Sequence, residues 1–186
     1  MDDIPKIGIT GMPGVGKTTT LRKIIKSLED HGYVVAGIIT EPVLKKKKRV
    51  GFYVKDWTTG EKEVFAHEDF EFRESVGEYG VDIEALEKIA LPSIEKAITD
   101  DNVNIIIIDE IGKMEMLSEN FCDMVIEALD SDKPIMVTLH KKSRTPLLQD
   151  VRRRDDMRIL EVTPVNRNLL PYKIEKIMEE KLPPLF

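Results

Sequence analysis

The chain has 186 residues, 41% hydrophobic and 33% charged, enough for one folded unit with a buried core. Its net charge of −6 argues against general attraction to nucleic acid or anionic membrane, and its single cysteine, Cys122, excludes an intrachain disulfide or a cysteine-based zinc site. The acidic start (residues 1–5, MDDIP) lacks the basic and apolar regions of a secretory signal, and no apolar run approaches the ~18 residues of a membrane span, so a soluble, cytoplasmic protein is expected.

Ile4, Ile7 and Ile9 mark a first strand over 4–10 that stops at Gly11. Gly11-Met12-Pro13-Gly14-Val15-Gly16-Lys17-Thr18 then fits G-x-x-x-x-G-K-[ST], the phosphate-binding loop, with a strand before it and a helical pattern after it. The glycines open torsions closed to other residues and let phosphates approach the backbone. The loop N–H groups form an anion nest at a helix N-terminus. Lys17 is placed to reach the β- and γ-phosphates, and the Thr18 hydroxyl to complete a Mg²⁺ ligand set. The chain is thus expected to bind a nucleoside triphosphate.

Leu21, Ile24, Ile25 and Leu28 recur at helical spacing over 17–31, ahead of Gly32. Residues 33–40 (YVVAGIIT) read as a strand buried on both faces, completing a βαβ unit. The alternation in 50–55, the Thr58-Thr59-Gly60 turn and the return at 63–66 predict an antiparallel hairpin inserted at about 41–66, with Trp57 as a packing residue. Residues 67–81 read as a polar loop. Asp82 is a cap for a helix whose apolar face runs from Ala85 to Ile98, with Pro92 a kink or break. Residues 103–108 (VNIIII) predict a central strand, 119–129 a helix, 134–139 a buried strand, 158–162 a short strand and 166–181 a closing helix. Alternating strands and helices predict a single α/β domain over 1–186, a three-layer sandwich with a mostly parallel sheet.

The four isoleucines Ile105 to Ile108 end in Asp109-Glu110. That puts Asp109 at the carboxyl end of a central strand, where open α/β sheets bind ligands and where it can hold Mg²⁺ opposite Thr18. An acid directly after it can polarise a water aimed at the γ-phosphate, so Glu110 points to hydrolysis.

Residues 109–115 read DEIGKME. Together with GMPGVGKTT at 11–19, RVGFY at 49–53, VGEYGVD at 76–82 and VTPVNR at 162–167, this resembles the nucleoside-triphosphate phosphatase family first described from thermophiles, whose animal member is the cancer-related NTPase. The resemblance covers nearly the whole chain. It implies Mg²⁺-dependent hydrolysis of ATP, GTP and other triphosphates to the diphosphate and phosphate, slow and loose in base choice. It implies a RecA-like core of the P-loop NTPase type, in which an extra strand, 134–139, separates the phosphate-loop strand from the Asp109 strand. It also implies that residues 11–19 with Ile108, Asp109, Glu110, Ile111 and Gly112 surround the nucleotide, and that Asn166 and Arg167, opening the last helix, lie near the base or phosphates.

Other residues carry two readings each. His140 follows the 134–139 strand, where it is either a γ-phosphate sensor or a surface histidine; Thr138 is a weaker candidate for that place. Arg49 is either a catalytic cation reaching over the phosphates or the last of five solvated cations, 45–49, on a hairpin edge. Glu115 either arranges the site or holds Lys113 or an arginine. The basic clusters 45–49, 141–144 and 152–154 lack the interleaved aromatics of a single-strand binder, so no nucleic-acid partner is expected. Met12 stands where ParA-like dimerising ATPases carry their signature lysine, so no motif requires a dimer and a monomer is favoured. Besides hydrolysis, two functions stay open: a kinase for a nucleoside, nucleotide or other small acceptor, with 152–154 as lid arginines, and a nucleotide-controlled switch or motor acting on nucleic acid or a partner.

Overall fold

A computed structural model describes residues 3–182, 184 and 185; Met1 and Asp2, on which the reading of the N-terminus partly rests, lie outside the described residues. The chain runs β1 (Lys6–Gly11), α1 (Lys17–Asp30), β2 (Val35–Lys45), β3 (Lys48–Asp56), β4 (Lys62–His67), β5 (Ser75–Val76), β6 (Tyr79–Val81) and α2 (Ile83–Thr99). It continues β7 (Ile105–Ile111), a 3₁₀ turn (Glu115–Leu117), α3 (Glu119–Asp130), β8 (Ile135–His140), α4 (Pro146–Arg153), β9 (Arg158–Glu161) and α5 (Leu170–Lys181). All nine strands join one sheet in the order β5-β6-β4-β3-β2-β7-β8-β1-β9. From β2 to β9 neighbouring strands are parallel; from β2 outward to β5 they are antiparallel. β8 lies between β1 and β7, the extra strand of a RecA-like core.

Strand alternation sorts the isoleucine run between two cores. Ile105 and Ile107 pack with Leu21, Ile24 and Ile174 of α1 and α5. Ile106 and Ile108 pack with Ile94, Phe121 and Leu148 of α2, α3 and α4. Helices on both faces explain why β7 is apolar without a break. Asp82 caps α2 as expected, accepting the Ala85 N–H, and Ser118 caps α3, accepting the Phe121 N–H. Among the described residues no helix is long and apolar enough to cross a membrane.

Several expectations need correction. The antiparallel hairpin expected at about 41–66 is present but starts within a core strand, since β2 itself runs on to Lys45 and turns through Lys46 and Lys47 into β3. Residues 67–81 are not all loop: β5 and β6 form a small hairpin, and β6 extends the sheet from β4. Pro92 does not break α2, whose buried Ile89, Ala90, Ser93 and Ile94 hold the helix to the sheet on both sides of it. Sequence reading missed α4, whose Leu147, Leu148 and Val151 are buried. Asn166 and Arg167 lie in turns before the last helix, which begins at Leu170. Trp57 does pack against the α1–α5 core, and its Nε1 donates to Glu29 (2.7 Å).

Candidate functional site

β1 ends at Gly11, where an added Cβ would lie 2.8 Å from Val15 Cγ1 and 2.9 Å from the Val162 carbonyl oxygen, so a larger residue would displace the loop. Gly16 caps α1 at φ 111°, in the left-handed region that favours glycine. It has no side chain to occupy the N–H groups of the first turn, and that turn holds no acid, which leaves the helix start disposed to receive an anion. Lys17, buried at the head of α1, donates to the Gly11 carbonyl (3.2 Å) and the Leu139 carbonyl (3.5 Å) and pairs with the Glu110 carboxylate at 3.2 Å.

The register between β1 and β8 sets Gly11 beside His140, and that between β2 and β7 sets Ile38 beside Ile108. The carboxyl ends of the four central strands thus converge on the loop. Asp109 is fully buried and accepts from Thr138 Oγ1 (2.5 Å) and Thr18 Oγ1 (3.0 Å to Oδ2), and from the Thr40 backbone N–H. Burial nevertheless raises its pKa to about 6, helped by the neighbouring Glu110 charge and opposed by those hydrogen bonds. A buried carboxylate beside a hydroxyl is an all-oxygen donor set, which suits a hard cation such as Mg²⁺. A cation there would also restore the ionised form that burial disfavours. Thr138, the weaker candidate, is therefore the residue that grips Asp109.

Glu115 is buried and raised to about 8, first by desolvation and then by the charge of Glu110. Among the described residues it forms no ion pair with Lys113 or an arginine. Gly112 separates the two glutamates: a Cβ there would lie 2.8 Å from Glu110 Oε1 and 3.0 Å from Glu115 Oε2. His140 Nδ1 accepts the Ser143 N–H (3.1 Å), which leaves the ring proton on Nε2; burial lowers its pKa against the opposing pull of Glu110. Arg152 donates to the His140, Lys141 and Ser143 carbonyls, so it clamps this loop and is not a free lid arginine. Arg154 is held by Asp130 and Asp156, and Lys141 by Glu161.

A cavity of about 490 Å³, within the size range of small-molecule sites, opens onto Lys17, Thr18, Glu110, Glu115 and His140. Pro13, Gly14, Gly16, Lys17, Thr18 and Thr19 line it on one side with Glu110 and His140. Arg49, its guanidinium 5.0 Å from the Phe52 ring centroid, lines it on the other. Ile108 and Ile111 are buried in the core, and Met12 is exposed outside the lining. Asn166 and Arg167 do not line it either. The Asn166 side chain staples its own loop, accepting from Thr163 N–H and donating to the Glu161 carbonyl (both 2.8 Å). Glu41, Phe52, Val76, Tyr79 and Met114 line the cavity but were not singled out from sequence. The segments RVGFY and VGEYGVD, which carry three of them, were the available signal.

The comparisons with known proteins agree with this geometry. A family model described as NTPase matches residues 6–175. Nucleoside-triphosphatase THEP1 of Picrophilus torridus is 39% identical over 173 residues, 93% of this chain and 95% of that protein. That of Thermoplasma volcanium is 38% identical, covering 94% of this chain and 97% of that one. The crystal structure of THEP1 from Aquifex aeolicus superposes with a TM-score of 0.83 at 36% identity, over 94% of this chain and 99% of that one. The solution structure of a human cancer-related nucleoside triphosphatase gives 0.82 at 32% identity, over 96% and 100%. With the fold, the phosphate loop and the Asp109-Glu110 strand end all in place, the chain belongs to the NTPase family.

Proposed function

We propose that the protein is a Mg²⁺-dependent nucleoside triphosphatase that releases phosphate from ATP, GTP and other triphosphates. The observation that carries this reading is the meeting of Lys17, Thr18, Asp109 and Glu110 at one end of the sheet. The loop N–H groups and the α1 N-terminus hold the phosphates, and the Lys17 ammonium neutralises charge on the β- and γ-oxygens. Thr18 and Asp109 would hold Mg²⁺, which supplies further positive charge to the transferring phosphoryl group. Glu110 accepts a hydrogen bond from a water and aims it at the γ-phosphorus in line with the bond to the diphosphate. His140 presents an N–H towards the same phosphate, and Arg49 approaches from the opposite wall. The P–O bond breaks to give the diphosphate and inorganic phosphate.

Glu110→Gln keeps the size and hydrogen-bonding reach of the side chain but loses its charge. Phosphate release should fall by about a hundredfold or more while nucleotide binding is kept. Full phosphate release by this variant would remove Glu110 from the water-activating role.

A further inference from the structure

The cavity extends past the phosphate end, and sheet order gives its direction. The phosphate loop leaves β1; His140 and Glu110 stand on β8 and β7; Phe52 stands on β3, two strands beyond β7. The 163–167 turns follow β9, on the other flank of β1. A triphosphate with its γ-end at Lys17 and Glu110 would carry its nucleoside out past Thr19 towards that flank, leaving the β3 side uncovered. At ~4.8 Å per strand the β3 wall stands roughly 10 Å from the Glu110 strand, room for one flat ring system.

The chemistry of that end is selective. Phe52 and Tyr79 pack edge to face with centroids 5.5 Å apart, and Val76 and Met114 complete an apolar wall. Glu41 and Glu115 line the cavity here together with Arg49 and Lys113. The carboxyl oxygens of the two glutamates offer acceptors to hydroxyl groups. An occupant that suits the aromatic wall and these acceptors is planar and hydroxyl-bearing: a nucleoside.

We propose that this end of the cavity is an acceptor site, and that the protein transfers the γ-phosphoryl group to the hydroxyl of a nucleoside seated against Phe52 and Tyr79. The proposal rests on the reading that the loop holds a triphosphate. The acceptor hydroxyl hydrogen-bonds to Glu110 in the place of water. Its oxygen forms the new bond to the γ-phosphorus as the bond to the diphosphate breaks. The hydroxyl proton passes to a non-bridging oxygen of the transferred group, so the products are a nucleoside monophosphate and a nucleoside diphosphate, with no other reactant.

The full chain, incubated with Mg²⁺ and γ-labelled ATP, is given adenosine, guanosine, cytidine, uridine or thymidine in turn, and labelled products are separated by chromatography. At least one nucleoside should divert label from inorganic phosphate into its monophosphate. Phe52→Ala should lower that transfer roughly tenfold or more relative to hydrolysis, the size of a lost stacking contact. Label confined to inorganic phosphate with every nucleoside, while ADP still forms, overturns the acceptor site and leaves the hydrolase reading intact. A parallel loss of hydrolysis and rise in the KM for ATP in Phe52→Ala also overturns it, because the base of the triphosphate itself would then occupy the wall. Failure to form ADP under any condition overturns the underlying reading and this one with it.

Discussion

The parallel and antiparallel halves of the sheet meet the same cavity by different means. In the parallel half the central strands β7, β8 and β1 are buried on both faces, and their ends present groups fixed by several contacts each. Asp109 is gripped by two hydroxyls and a backbone N–H, and Lys17 by two carbonyls and a carboxylate. From β3 to β5 the strands shorten to two or three residues, the turn at 46–47 is exposed, and the cavity is lined by aromatic and aliphatic surface. Groups that act on a phosphorus must be held to fractions of an ångström, which requires redundant contacts. A wall that receives a ring needs only shape and polarity.

Four tests, with Glu110→Gln above, sharpen this contrast. Lys17→Ala should produce the largest effect, a fall in phosphate release of about a thousandfold, because it removes the buried cation fixed at the head of α1 beside Glu110. A smaller loss would move the charge-neutralising role to Arg49 and the antiparallel wall. Ile106→Ala opens a cavity in a strand buried on both sides and should cost about 2–5 kcal/mol, read as a lower denaturant midpoint. Tyr79→Ala, in a partly exposed strand, should cost markedly less; equal losses would erase the difference between the halves.

The third test uses pH. Asp109 at about 6 and Glu115 at about 8 are both held above their ordinary values, so the fold binds these protons more tightly than the unfolded chain does. Their contribution is full below about pH 4 and is lost as pH rises through 6 and then 8. In EDTA the melting temperature should therefore fall between about pH 5 and 8.5, and Glu115→Gln should flatten the upper part of that fall. A melting temperature that rises over this range would contradict the burial of both acids. The smallest effect belongs to the hairpin turn, where Lys46 and Lys47 have φ of 50° and 64°. Lys47→Gly relieves a left-handed backbone and should stabilise by about 0.5–1 kcal/mol, seen as a small rise in denaturant midpoint with phosphate release unchanged.

The same contrast governs what could be read from the sequence. The phosphate loop and Asp109-Glu110 were legible because their spacing and flanking apolar runs are local, and β8 was placed beside β1 by the family resemblance. Thr138 and Glu115 were harder: one is a hydroxyl inside a strand and the other a carboxylate, a type that is usually exposed, and only the three-dimensional approach to Asp109 and Glu110 buries them. α4 escaped because its eight residues give barely two turns of periodicity between basic neighbours, although Thr145-Pro146 is a helix-start signal. β5 and β6 are too short for any alternation to register. The Phe52–Tyr79 wall joins residues 27 positions apart by number, through pairing of β3, β4 and β6 that no local pattern encodes.

β2 belongs to both halves without interruption. Its first residues pair with β7, its last with β3, and between them the Thr40 N–H reaches the Asp109 carboxylate. Leverage follows from that continuity. Whatever leans on the hairpin, whether a ring against Phe52 or a neighbouring macromolecule at the turn, leans on the same strand whose Thr40 N–H bonds to Asp109. The outer wall and the Asp109 end of the site are thereby joined by one strand.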